Sequence, residues 1–273
     1  MATRFLTALI LGLALVPAAT AQTVRFDTNV GNIDLVLNPM GLPELRGHVD
    51  NMLAYVENAI YDKSVINRAP EGFVLQLGSF VTADQIVPST RDGFFPLERF
   101  EPVVVDFDGD GQVDFNTEEL SNTRSTVTLA LSSGQPNSGT SSFFVNVGDN
   151  SALLDPQGFV TFARVADMST VDFIMNLDDR NLFGDPQSNP TFTDVPLLEN
   201  DLQVFIERAF VLDPNPVIQM VPPSSTLSET LSDLGSPSSG GSQVVGVPEP
   251  PALVLVVGAL MVLAVLKAPR FYY

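Results

Sequence analysis

The chain has 273 residues and carries 32 Asp and Glu against 13 Lys and Arg, a formal charge of −19. Such an excess repels phosphate at long range and argues against nucleic acid as a partner. With no cysteine and a single histidine, disulfides, thiol chemistry and a zinc site of nitrogen or sulfur ligands are also disfavoured.

In chain order, Arg4 precedes an apolar run from Phe5 to Val16 and then Ala19-Thr20-Ala21. The order positive, apolar, small-x-small predicts a secretory signal peptide over residues 1–21, cut before Gln22. Val24, Phe26 and Thr28, then Ile33, Leu35 and Leu37, alternate at period two around Asn29–Asn32 and predict a hairpin. Leu42-Pro43-Glu44 predicts a helix start, with Pro in the first turn and an acid facing the dipole. Val49, Met52, Leu53 and Val56 follow at helical spacing, as a stripe that would plug a sheet. The next segment, Tyr61 to Gly78, sets Arg68 ahead of Phe73 and Gln76 on an otherwise apolar stretch. An isolated guanidinium among aromatic and apolar side chains suits a surface that binds an uncharged peptide and polarises one bond in it.

An acidic insertion occupies about residues 100–119. Asp106, Asp108, Asp110, Gln112 and Asp114 fall at alternate positions with Gly at Gly111, the spacing of a calcium loop with hard oxygen ligands around a tight turn. Its twelfth position is Thr117, with Glu118 and Glu119 beyond. Two readings stand: a lone structural calcium loop, or an acidic solvated hairpin.

Further strands are predicted over Ser125–Leu131, Phe143–Val147, Phe159–Val165 and Gln203–Leu212. Ser169-Thr170-Val171-Asp172 predicts a capping box opening a short helix to Leu177. Many strands with two helices predict an all-β fold, a closed antiparallel barrel of about eight strands with capped ends. This domain covers residues 22–213. Residues 214–247 are rich in Pro, Ser and Gly and predict a flexible tether. Residues 248–273 hold Pro248-Glu249-Pro250, an apolar run from Ala252 to Leu266, and then Lys267 and Arg270. The run is near the lower limit of about 17 residues for a membrane span.

That tail resembles the PEP-CTERM sorting signal. The resemblance implies transient anchoring in the inner membrane, processing by an exosortase-like enzyme, and a final place in the periplasm or at the cell surface. A plain membrane anchor is the alternative.

The domain resembles the cyclophilin-type peptidyl-prolyl isomerases in ordered motifs. Asn67-Arg68 stands where that family commonly reads His-Arg, and Phe73-Val74-Leu75-Gln76-Leu77-Gly78 is similar to its Phe-Met-x-Gln-Gly-Gly. Leu120-Ser121-Asn122-Thr123-Arg124, Thr140-Ser141-Ser142-Phe143-Phe144-Val145-Asn146, Leu154-Asp155 and Phe162-Ala163-Arg164-Val165 follow in the family's order. The resemblance implies that Arg68 carries catalysis, with Phe73, Gln76 and Phe144 beside it. Gln76 matches the residue that orders the arginine and the peptide. Phe73, Phe144 and Leu154 match the proline pocket, and Ala130 the path of the residue before proline. Ser142 replaces a peptide-binding Gln, Val74 a pocket Met, Phe159 a His or Tyr, and Leu153 an aromatic that inhibitors of the cyclosporin class contact.

The chemistry such residues serve is rotation about X-Pro bonds, which takes tens of seconds or longer uncatalysed. In the twisted transition state the proline nitrogen gains a lone pair. A guanidinium donating to it favours that state over the planar one. No cofactor is required for this. The partners implied are proline-containing peptides or exported client proteins. Two other readings are a binding module with the same groove but little turnover, and a calcium-dependent surface or matrix component.

Overall fold

The computed structural model describes residues 21–132, 135–185 and 190–212. The expected signal peptide (apart from residue 21), tether and sorting tail lie outside the described residues. No helix among the described residues is long and apolar enough to cross a membrane.

The elements run β1 (Thr23–Thr28), β2 (Gly31–Leu37), α1 (Arg46–Glu57), β3 (Ser64–Val65), β4 (Val74–Leu77) and β5 (Phe80–Val81). They continue with β6 (Phe95–Pro96), β7 (Thr126–Leu129), β8 (Phe143–Asn146), α2 (Ser151–Leu154) and β9 (Thr161–Val165). The last are α3 (Ser169–Met175), β10 (Asp179–Arg180), β11 (Val195–Pro196) and β12 (Ile206–Leu212).

The expected hairpin is β1–β2, with Thr23 opposite Val36 and Thr28 opposite Gly31. Because successive strand residues face opposite sides, Val24, Phe26, Ile33, Leu35 and Leu37 are buried together. On the outer face Arg25 pairs across the strands with Asp34 at 2.7 Å.

The main sheet is antiparallel and seven-stranded, in the order β12-β1-β2-β9-β7-β8-β4. It curls as a half-barrel and does not close, which corrects the expected closed barrel of about eight strands. Residues 63–68 span the gap between the edge strands by isolated bonds. On one side Lys63 N–H reaches the Ile206 carbonyl (2.7 Å) and Ile66 N–H the Val204 carbonyl (2.9 Å). On the other, Gln76 N–H reaches the Arg68 carbonyl at 2.8 Å. Lys63 has φ +65°, a left-handed conformation that interrupts extended pairing, and Pro70 has no N–H to offer a ladder. Two smaller sheets are ordered β3-β5-β6 and β10-β11.

Helix α1 packs His48, Asn51, Met52, Tyr55 and Val56 into the protein. The predicted stripe is therefore rotated: Met52 and Val56 are buried, whereas Val49 and Leu53 lie at its margin. Pro43 does open the helical run, through a 3-10 turn at Pro43–Leu45. Tyr55 is buried here because its hydroxyl receives the Phe100 N–H at 2.7 Å. In the core Phe26 lies 5.4 Å from both Tyr61 and Phe143, and the Tyr61 hydroxyl donates to the Ser141 carbonyl at 2.9 Å.

Three α-helices are present among the described residues, since α2 adds one turn that was not expected. The capping box at Ser169 does not form. Met168 is the N-cap, Ser169 N–H bonds the Asp167 carboxylate at 2.9 Å, and Asp172 is held by Arg124 at 2.7 Å.

Candidate active site

Strands β4, β7 and β8 lie side by side and carry the site between them. Gln76 on β4 is directly opposite Phe144 on β8. Ala130 follows β7, its N–H bonded to the Ser142 carbonyl at 2.8 Å. Phe73 and Val74 open β4, and Arg68 is joined to Gln76 by the isolated bridge at the sheet edge. Arg68, Phe73, Val74, Gln76, Ala130, Phe144 and Phe159 line one hollow of about 10 Å³, roughly the volume one water needs. Leu154, fully buried, lies behind this wall and packs with Val74, Phe144 and Phe159. Phe144 and Phe159 meet edge to face, centroids 5.8 Å apart.

The Arg68 side chain is 12% exposed and lies 4.0 Å from the Asp194 carboxylate. Its Nε is buried without a hydrogen-bond partner among the described residues. Burial lowers the Arg68 pKa from its ordinary value, and Asp194 opposes that shift; the guanidinium stays charged. Ser142 stands beside the hollow. Its hydroxyl accepts from Gln76 Nε2 at 3.3 Å and shares a 2.7 Å hydrogen bond with Ser79.

Behind the hollow is a polar chain that sequence reasoning did not assign. Asn122 Nδ2 donates to the Phe159 carbonyl (2.7 Å) and to Asp155 (2.9 Å), and Asn122 Oδ1 accepts from Asn146 at 3.1 Å. Asn146 Oδ1 accepts from Asn150, which also donates to the Phe73 carbonyl at 2.9 Å. Three asparagines thus tie Phe73 to Phe159 across the floor of the site. For Asn146 a signal was present in the sequence, a polar residue closing the apolar run Phe143-Phe144-Val145-Asn146.

In the acidic insertion, ligand oxygens of Asp106, Asp108 and Asp114 lie within 4.8 Å of one another. The Asp110 carboxylate is not part of that group and instead accepts the Gln112 N–H at 2.8 Å. Asp106 is buried and accepts the N–H groups of Gly109 (2.6 Å) and Gly111 (2.9 Å). Asn137 clamps the loop's entry, accepting from Val105 and Asp106 N–H and donating to the Asp106 carbonyl. A wider hollow of about 560 Å³ between Gly111–Val113 and Asp155–Val160 also touches Phe159, so the insertion borders the site.

Residues 23–197 match the family described as cyclophilin type peptidyl-prolyl cis-trans isomerase/CLD. The chain belongs to this family. Peptidyl-prolyl cis-trans isomerase A of Dickeya dadantii is 30% identical over 151 residues, covering 54% of this chain and 67% of that protein. Peptidyl-prolyl cis-trans isomerase B of Escherichia coli is 30% identical over 156 residues, covering 55% and 81%. A solved cyclophilin type isomerase of Cryptosporidium parvum aligns at 18% identity and TM-score 0.46, covering 70% of this chain and 99% of its own. In this cyclophilin-type chain the Gln76 side chain donates to Ser142, and its hydrogen bond to Arg68 is made by the backbone.

Proposed function

We propose that the protein is a peptidyl-prolyl cis-trans isomerase acting on X-Pro bonds of exported or cell-surface proteins. Family membership supports the reaction class. The observation that carries the residue assignment is the largely covered Arg68 guanidinium on the wall of a hollow otherwise lined chiefly by Phe73, Val74, Ala130, Phe144 and Phe159. In this reading the proline ring seats against the aromatic side chains. Arg68 donates toward the proline nitrogen, which can accept only once the amide is twisted. A dry apolar rim strengthens that charge–dipole interaction. Gln76 faces the backbone flanking the proline, Ser142 leaves that backbone without the contact a longer side chain would make, and Ala130 leaves room for the residue before it. Leu154 backs the pocket.

A second reading is favoured by the small hollow and by the diversion of Gln76 to Ser142: a groove that binds proline segments with little turnover. NMR exchange on Ala-Pro and Phe-Pro peptides, with the full chain and its Arg68→Ala variant, separates the two. Acceleration that drops at least about tenfold in Arg68→Ala supports the enzyme. Peptide binding by a folded protein without acceleration leaves the binding module.

Calcium in this proposal is structural, carried by Asp106, Asp108 and Asp114, and pins the insertion that borders the site. Export, an exosortase-like processing partner and a periplasmic or surface location rest on the sequence features of the two ends. Cell fractionation with a C-terminally truncated chain tests them.

A further inference from the structure

We infer that Asp194 is a positioning residue for the isomerase reaction, holding the Arg68 guanidinium from behind the hollow. The inference rests on the isomerase reading of that same site. Asp194 Oδ2 lies 4.0 Å from Arg68 Nε, and that nitrogen has no hydrogen-bond acceptor among the described residues. A buried donor with no acceptor is unfavourable, and the charge nearest to it is the Asp194 carboxylate, whose attraction biases the orientation of the guanidinium. With Arg68 12% and Asp194 34% exposed, the attraction is less screened than that of a surface pair. Gln76 does not supply this hold, because its carbonyl oxygen is not bonded to that nitrogen, while its Nε2 donates to Ser142 at 3.3 Å.

The carboxylate is itself fixed to the segment that bears Arg68. Ala69 N–H donates to the Asp194 carbonyl at 2.7 Å, and Asn67 Nδ2 to the Thr191 carbonyl at 3.0 Å. Both chain neighbours of Arg68 are therefore strapped to residues 191–194. Thr193 Oγ1 bonds the Asp194 carboxylate and the Pro190 carbonyl. Phe192 anchors the strap, its ring 4.9 Å from Phe80 and 4.3 Å from Phe94. With Nε toward Asp194 and Arg68 lining the hollow, in this inference the terminal Nη groups are the ones available to a bound amide. That division of labour matters in the transition state, where a misaligned donor loses most of its effect.

The test uses the full chain and NMR exchange on a Phe-Pro peptide, with the Asp194→Asn, Asp194→Glu, Asp179→Asn and Arg68→Ala variants and the Arg68→Ala/Asp194→Asn pair. Asp194→Asn should lower kcat about tenfold and leave KM within about twofold, because the aromatic wall that binds proline is untouched. Asp194→Glu should restore part of kcat, and Asp194→Asn should have no further effect on Arg68→Ala. Asp179→Asn removes a neighbouring carboxylate that does not pair with Arg68, and should leave kcat unchanged. An unchanged kcat in Asp194→Asn, a loss carried by KM, or equal losses on both backgrounds would overturn the inference. The Arg68 Nε–H resonance of 15N-labelled protein gives a readout independent of turnover. It should move in Asp194→Asn and Asp194→Glu and stay in Asp179→Asn; a resonance fixed in all three overturns the pairing. If the wild type shows no turnover, the isomerase reading fails while the resonance still decides whether Asp194 holds Arg68.

Discussion

Gln76 and Arg68 are joined through their backbones, Gln76 N–H to the Arg68 carbonyl at 2.8 Å, while the Gln76 side chain turns away to Ser142. The short Ser142 side chain has two consequences. It takes up the Gln76 Nε2 donor, and it leaves no long side chain of its own to reach a bound peptide.

Ser142→Gln should therefore tighten substrate binding. One regained hydrogen bond contributes about 0.5–1.5 kcal/mol, a roughly two- to tenfold fall in KM. The expected result is that change in KM with kcat little altered, measured by exchange NMR across peptide concentrations. A KM equal to that of the wild type would mean that position 142 does not meet the peptide.

Asn122→Leu should both destabilise the fold and weaken catalysis. The change strips partners from the Phe159 carbonyl, the Thr128 hydroxyl and Asn146, all buried, and from the exposed Asp155. A loss of about 3 kcal/mol is expected, because several polar groups lose their partners together. Urea unfolding gives the stability. A kcat/KM that falls at denaturant-free conditions, where the protein is still folded, would mark the loosening of Phe73 and Phe159. Unchanged stability would mean that water replaces the asparagine.

The sequence made the hairpin legible, since strict alternation from Val24 to Leu37 has only one buried face to offer. The further apolar runs likewise became β7, β8, β9 and β12. The open edge was not legible. It depends on where residues 63–68 break from extended geometry, and a left-handed lysine gives no sign in composition. The helix stripe was misjudged because His48, Asn51 and Tyr55 read as polar or amphipathic, yet tertiary partners bury them. Most of the hollow's lining was foreseen from motif order, Arg68 through Phe159. Asp194 and Asn150 were not, being brought to the site by loops distant in sequence.

Asp106→Ala should loosen the insertion. Its buried carboxylate accepts the N–H groups of Gly109 and Gly111, and a methyl group cannot. A loss of about 1–2 kcal/mol is expected, with local amide exchange rising from Val105 to Asp114. Calcium gives the second arm. Millimolar calcium should raise the thermal midpoint of the wild type and not that of Asp106→Ala, since a ligand that binds only the folded state stabilises it. A midpoint indifferent to calcium in both proteins would reduce the loop to a hydrogen-bonded hairpin.

His48 should make the fold acid-sensitive in a defined window. The imidazole is buried on α1, stacked on Phe162 with centroids 5.6 Å apart, and its Nδ1 has no hydrogen-bond partner among the described residues. Burial lowers its pKa from 6.5 to about 4, because the charged form cannot be solvated there. Between those values the unfolded chain binds a proton that the native state does not. The stabilisation is therefore complete above about pH 6.5, is lost progressively as pH falls toward about 4, and amounts to about 3 kcal/mol in all. Urea unfolding of the wild type and His48→Leu at about pH 7 and pH 4.5 isolates this contribution. The leucine variant should lose less stability on acidification than the wild type, since the other acid-titrating groups are common to both. Equal losses would mean that His48 reaches water when it protonates.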